Sequence, residues 1–155
     1  MLPAVHMAIT ATAAKIVNQY YLKKQRIEMD FYAVLLGSLL PDLIDKPLEL
    51  LVQNYRTFGH SLILLLTILF FGAVLYQRSR KIWLLTISFG VLMHLTLDQM
   101  WLLPRTLFWP LLGHFEYYHN ISLWRLIQGV LSKPEFLIFE ITAVFLLIIL
   151  FRGWK

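Results

Sequence analysis

The chain contains no cysteine. Disulfides and thiolate metal sites are excluded, so any metal must be held by nitrogen and oxygen. Charge is scarce too: 15% of the 155 residues are Asp, Glu, Lys or Arg, where a soluble domain carries about a quarter. No stretch interleaves Lys or Arg with base-stacking aromatics, so nucleic acid is not an expected partner. Residues 1–20 lack the basic start of a secretory signal, and His6 and Thr10 interrupt their apolar run, so a cleaved leader is not expected. No internal repeat or low-complexity tract divides the chain, and a single domain over residues 1–155 is expected.

What is present in abundance is apolar surface. Hydrophobic residues make up 59% of the chain, and the mean hydropathy is +0.66. An all-α, polytopic transmembrane helical bundle follows, because lipid cannot satisfy free backbone groups and no barrel-type alternation appears. Five spans can be drawn, at 3–20, 30–52, 61–77, 82–103 and 135–151, against a need for about 20 residues per crossing. The second is interrupted by Pro41 and Pro47, which predicts a break there.

Loop charges orient these spans. Eight cations, Lys23, Lys24, Arg26, Arg78, Arg80, Lys81, Arg152 and Lys155, fall on one side. Five, Lys46, Arg56, Arg105, Arg125 and Lys133, fall on the other. The positive-inside rule then puts the N-terminus outside and the C-terminus inside. That orientation, derived without reference to histidine, gathers all five histidines at the extracytoplasmic side. His6 begins the first span, Asp42 and Asp45 lie toward the outer end of the second, and His60 opens the third. His94 and Asp98 occupy the outer half of the fourth, His114 and His119 the following loop. Glu140 lies one to two turns into the last.

Ionisable residues in apolar runs are costly and mark function by default. His94 and Asp98 are four apart, so one helix face presents both to a common ion. The alternative is a polar pair bonding a neighbouring helix. Asp42 and Asp45 are metal candidates, or caps of a short helix running from Lys46. His60 and His6 are ligand candidates, or interfacial polar residues. His114 and His119 are possible additional ligands or members of an aromatic belt with Phe115, Tyr117 and Tyr118. Glu140 is equally suited to a structural hydrogen bond. Arg56 is placed to clamp an anionic oxygen. Ser61 lacks the turn of a serine nucleophile. Imidazoles and carboxylates without thiolates suit zinc, with manganese or iron as alternatives.

His6, the segment LPDLID at 40–45, RTFGHS at 56–61, HLTLD at 94–98 and the stretch Leu107-Phe108-Trp109-Pro110-Leu111 occur in that order. Together they resemble the small inner-membrane proteins called LexA-regulated or membrane-bound metal-dependent hydrolases. The resemblance covers roughly residues 1–115. It implies His6, Asp42, Asp45, His60, His94 and Asp98 as metal ligands. Tyr55 stands where that pattern carries a further histidine. The order of ligands is more faintly similar to the zinc-dependent phospholipases C, an analogy of reaction class rather than fold.

The expected function is hydrolysis of a phosphoester in a membrane lipid or lipid-linked substrate, at the extracytoplasmic face of the inner membrane. A divalent metal, zinc or manganese, would serve as cofactor. Arg56 would hold the anionic oxygen, and Asp42 or Asp45 would take the proton. The alternative is a transport or sensing protein for protons or metal ions, using His94, Asp98 and Glu140 as a relay. A third is a structural or assembly role for a relic of the metal fold.

Overall fold

The computed structural model describes residues 3–25, 27–52, 56–115 and 134–154. Every regular element among them is helical, with no strand. Helix α1, Pro3–Val17, opens on a proline, whose fixed φ suits a first helical position. Its Ala4, Ala8, Ala11 and Ala14 are buried, so neighbouring backbones come close. The chain then tightens into π and 3-10 turns over Asn18–Leu22 and Lys23–Gln25. Asp30 accepts the Ala33 N–H at 2.8 Å and starts α2, Phe31–Val52.

Helix α3 is Leu62–Ser79, α4 is Trp83–Leu97, α5 is the single turn Pro104–Leu107, and α6 is Pro134–Arg152. The helices form a row of neighbours: α3 packs on α4, α4 on α2, α2 on α1, and α1 on α6. The core between α2, α3 and α4 is Ala33, Leu65, Ile87, Val91, Leu95, Met100 and Leu103. One described helix, α3, is long and apolar enough to cross a membrane by itself. Its 18 residues span about 27 Å at 1.5 Å per residue, close to a hydrocarbon core of about 30 Å. Helix α4 is as apolar but has 15 residues.

Two expectations need correction. The second segment is not broken at its prolines: α2 runs continuously through Pro41 and Pro47. Asp42 and Asp45 therefore sit inside a helix and cannot cap one beginning at Lys46. Proline removes one donor and crowds the preceding turn, a local cost that tertiary packing on α4 and α1 outweighs. The fourth segment, by contrast, stops early. Helix α4 ends at Leu97, Asp98 is its cap, and Gln99 takes a left-handed φ of 51°. The chain turns there into the 3-10 turn Met100–Leu102.

At the α2–α4 crossing the two backbones meet closely. A Cβ on Gly90 would come within 2.7 Å of Gly37 Cα and of Ser38 N, and one on Gly37 would strike the Ile87 carbonyl. Small residues let two helices meet backbone to backbone. This contact fixes the register between Ser38 and Asp42 on α2 and His94, one turn beyond Gly90 on α4.

A candidate metal centre between α1, α2 and α4

His94 projects from the last turn of α4 and is buried. Its Nδ1 lies 2.6 Å from the Ser38 carbonyl oxygen. A carbonyl only accepts, so Nδ1 carries the proton and Nε2 is left with a lone pair.

His60 closes the 3-10 turn Phe58–His60 and is also buried. Its Nδ1 donates to Asp45 Oδ2 at 2.7 Å. Asp45 accepts three more bonds, from Thr57 N at 2.6 Å, Thr57 Oγ1 at 2.8 Å and Gly59 N at 2.7 Å. The 57–60 turn is thus wrapped around one carboxylate. Gly59 is required for that approach, since a Cβ there would lie 2.6 Å from Asp45 Oδ1. Ser61 Oγ is spent on the Phe58 carbonyl at 2.7 Å.

With both Nδ1 atoms donating to their partners, the two Nε2 atoms face each other 3.2 Å apart, and both are bare when the two rings are neutral. Lone pairs at that distance repel unless a proton or a cation lies between them. Asp42 Oδ1 stands 3.7 Å from His60 Nε2 and 4.0 Å from His94 Nε2. Asp42, His60 and His94 are close enough to hold a metal ion, their ligating atoms lying within 4.8 Å of one another. The Asp42 side chain is 26% exposed while the two histidines are almost fully enclosed, so the centre opens on the Asp42 side.

Asp98 borders the same place. Its Oδ1 lies 3.1 Å from His6 Nε2, and its Oδ2 receives the Arg56 guanidinium. Oδ2 is also 3.6 Å from His60 Nε2. The His6 ring lies 5.1 Å from that of His94, centroid to centroid. Among the described residues, three carboxylates, Asp42, Asp45 and Asp98, thus gather with one guanidinium, Arg56, which pairs with Asp98. Three negative charges against one positive leave two uncompensated when the imidazoles are neutral, which is the charge a divalent cation cancels. His60, just before α3, reports the same field. Burial opposes its charge, but the hydrogen bond to Asp45 and the nearby Asp98 and Asp42 carboxylates outweigh burial and hold its pKa above the usual histidine value.

The remaining candidates lie elsewhere. Glu140 Oε2 accepts the Ala4 N–H at 3.1 Å, satisfying a donor at the start of α1. His114 is exposed. His119 lies outside the described residues. Sequence reasoning did not single out Ser38, Thr57 or Gly59, nor the glycine pair at the crossing. Gly37-Ser38 and Gly90 inside apolar runs are the signal that was there to find.

A protein-family model described as YdjM inner membrane protein matches residues 1–155. No curated protein and no solved structure matches the chain.

Proposed function

Because the chain belongs to the YdjM inner membrane protein family, we propose that it is a multi-pass enzyme whose centre faces the extracytoplasmic side. There it would hydrolyse a phosphoester of a membrane lipid or lipid-linked substrate with a divalent metal. The supporting observation is the pair of bare Nε2 atoms 3.2 Å apart beside Asp42 Oδ1. Each imidazole is oriented by a hydrogen bond on its far nitrogen, as second-shell partners orient metal-bound histidines. Three protein ligands with an open side are the arrangement of a catalytic site rather than a closed structural one.

When bound, a zinc or manganese ion would supply a polarised phosphoryl oxygen and a water of lowered pKa. The chain's own residues do the rest. Asp45 orients His60 and, with both oxygens engaged, is a positioning group rather than a ligand or base. Asp42, half-buried at the opening, is the acid able to accept a proton from an incoming water. Arg56 holds Asp98 in place and offers its guanidinium to an anionic oxygen beside it. Phe58, in the turn that carries His60, packs edge to face on Trp109 at 6.2 Å.

The test is hydrolysis by the purified protein of phospholipids and polyprenyl phosphates, with release of a water-soluble product. Activity is expected to vanish in chelator and to return with zinc or manganese. Arg56→Lys should lower turnover more than metal content, because a point charge replaces a fork that can bind two oxygens. Turnover that survives chelation would sink the metal-hydrolase reading and leave the transport reading in its place.

A further inference from the structure

Residues 100–113 have two apolar sides. Met100 and Leu103 turn inward and are 1% and 7% exposed. Thr106 is buried with them. The other side shows Leu111, Leu102 and Trp101 at 85%, 64% and 57% exposed, with Phe108 and Leu112 beside them. A segment facing water would place polar residues there, and a contiguous apolar patch marks a contact surface. We infer that this patch is seated in the lipid leaflet on the side of the metal centre, and that it is the ramp by which a lipid headgroup reaches Asp42.

Depth identifies the occupant. Helix α5, within the segment, packs on the Phe58–His60 turn. That turn leads directly into α3 at Leu62, the helix long and apolar enough to cross a bilayer. The patch therefore lies at the level where a span leaves the hydrocarbon. Its chemistry suits that level: Trp101 and Trp109 are interfacial residues by preference, and exposed Arg105 sits at headgroup height. Trp109 stacks on Phe115 at 5.1 Å, which stiffens the end of the segment. Entry through this face rests on the hydrolase reading; immersion in lipid does not.

The native chain has no cysteine, so single-cysteine probes need no background changes. Leu102→Cys and Leu111→Cys would carry a nitroxide in phosphatidylcholine–phosphatidylglycerol vesicles, with Lys81→Cys as the aqueous reference. Power saturation should show oxygen colliding more than a nickel chelate at 102 and 111, and the reverse at 81. Nickel access at 102 and 111 equal to that at 81 overturns the proposal. So does shielding from both reagents, by residues 116–133 or by a second copy, the latter revealed by dipolar broadening. For the entry role, Leu111→Asp should lose turnover of vesicle lipid while keeping its metal and its turnover of a short-chain, water-soluble analogue. Equal loss on both substrates overturns entry. A native protein inactive on both, with the depth profile as expected, defeats the hydrolase reading and leaves the immersion intact.

Discussion

At the end of the bundle remote from the histidines, Asn18 and Trp154 close on one backbone unit. Asn18 Oδ1 accepts the Met29 N–H at 2.9 Å, and the Asn18 amide and the Trp154 indole donate to the Met29 carbonyl at 3.4 and 3.0 Å. Each of these contacts pairs a donor with an acceptor. At the opposite end, His60 Nε2 and His94 Nε2 meet acceptor to acceptor when both rings are neutral, and among the described residues three carboxylates stand there with one guanidinium. The first cluster is complete by itself and ties α1, α2 and the C-terminus together. The second is complete only with a positive charge added. Buried polar groups are normally satisfied, so an unsatisfied arrangement held rigidly by satisfied neighbours points to a ligand.

The largest effect should follow from deleting an imidazole at the incomplete end. His60→Ala or His94→Ala is expected to remove bound zinc or manganese from the purified protein, measured by elemental analysis. The loss should exceed the roughly 10–100-fold that second-shell changes cause. The protein should remain in the membrane, because the Met29 cluster shares no residue with the site. Full metal retention in both variants would erase the distinction between the two ends.

Asp45→Asn comes next. The amide keeps the size of the carboxylate but not its capacity to accept four hydrogen bonds, among them those of Thr57 and His60. Metal affinity should fall about 10–100-fold, the usual cost of losing a histidine's orienting partner. A metal titration of the stripped protein measures it. An affinity equal to the native one would mean that Asp45 does not set the His60 ring.

Much of this end was readable from the residues because each apolar run carries its ionisable residues at one end. His60, His94 and Asp42 do converge, and His6 and Asp98 lie against them. Their division of labour was not readable. Asp42 and Asp45 are three apart on one helix, and spacing alone treats them alike. What separates them is the 57–60 turn, which folds over Asp45 and leaves Asp42 facing the opening. The prolines of α2 looked like breaks because the local cost is visible in sequence and the compensating α2–α4 packing is not. The end of α4 was missed for the converse reason. No glycine or proline marks it, and a glutamine takes the left-handed turn. The number of membrane crossings is likewise not given by composition alone, since one described helix meets the length and apolarity needed.

Gly59→Ala probes how closely the turn must approach. An added Cβ would meet the Pro41 carbonyl and Asp45 Oδ1, both within 2.6 Å. The turn must shift, at a cost of roughly 1–3 kcal/mol for an overpacked position. Thermal unfolding should show a lower midpoint, and metal affinity should fall with it, since His60 follows Gly59 directly. A lowered midpoint with unchanged affinity would show that the turn can move without the imidazole.

The smallest effect is expected at the complete end, and it sharpens the comparison most. Asn18→Ala removes both bonds from the side chain to Met29 and leaves the Met29 N–H without that acceptor. A net hydrogen bond is worth about 1 kcal/mol, and a deserted buried donor about 1–3 kcal/mol. Asn18 and Met29 are only partly enclosed, so water can replace the lost partner and the lower figure applies. The thermal midpoint should drop by a few degrees, roughly what 1 kcal/mol produces in a domain of this size. Metal content and affinity should not change. The two ends share α1 and α2, so a fall in metal affinity in this variant would mean that the Met29 cluster sets the spacing of those helices, and that the ends act as one unit rather than as a scaffold and a site.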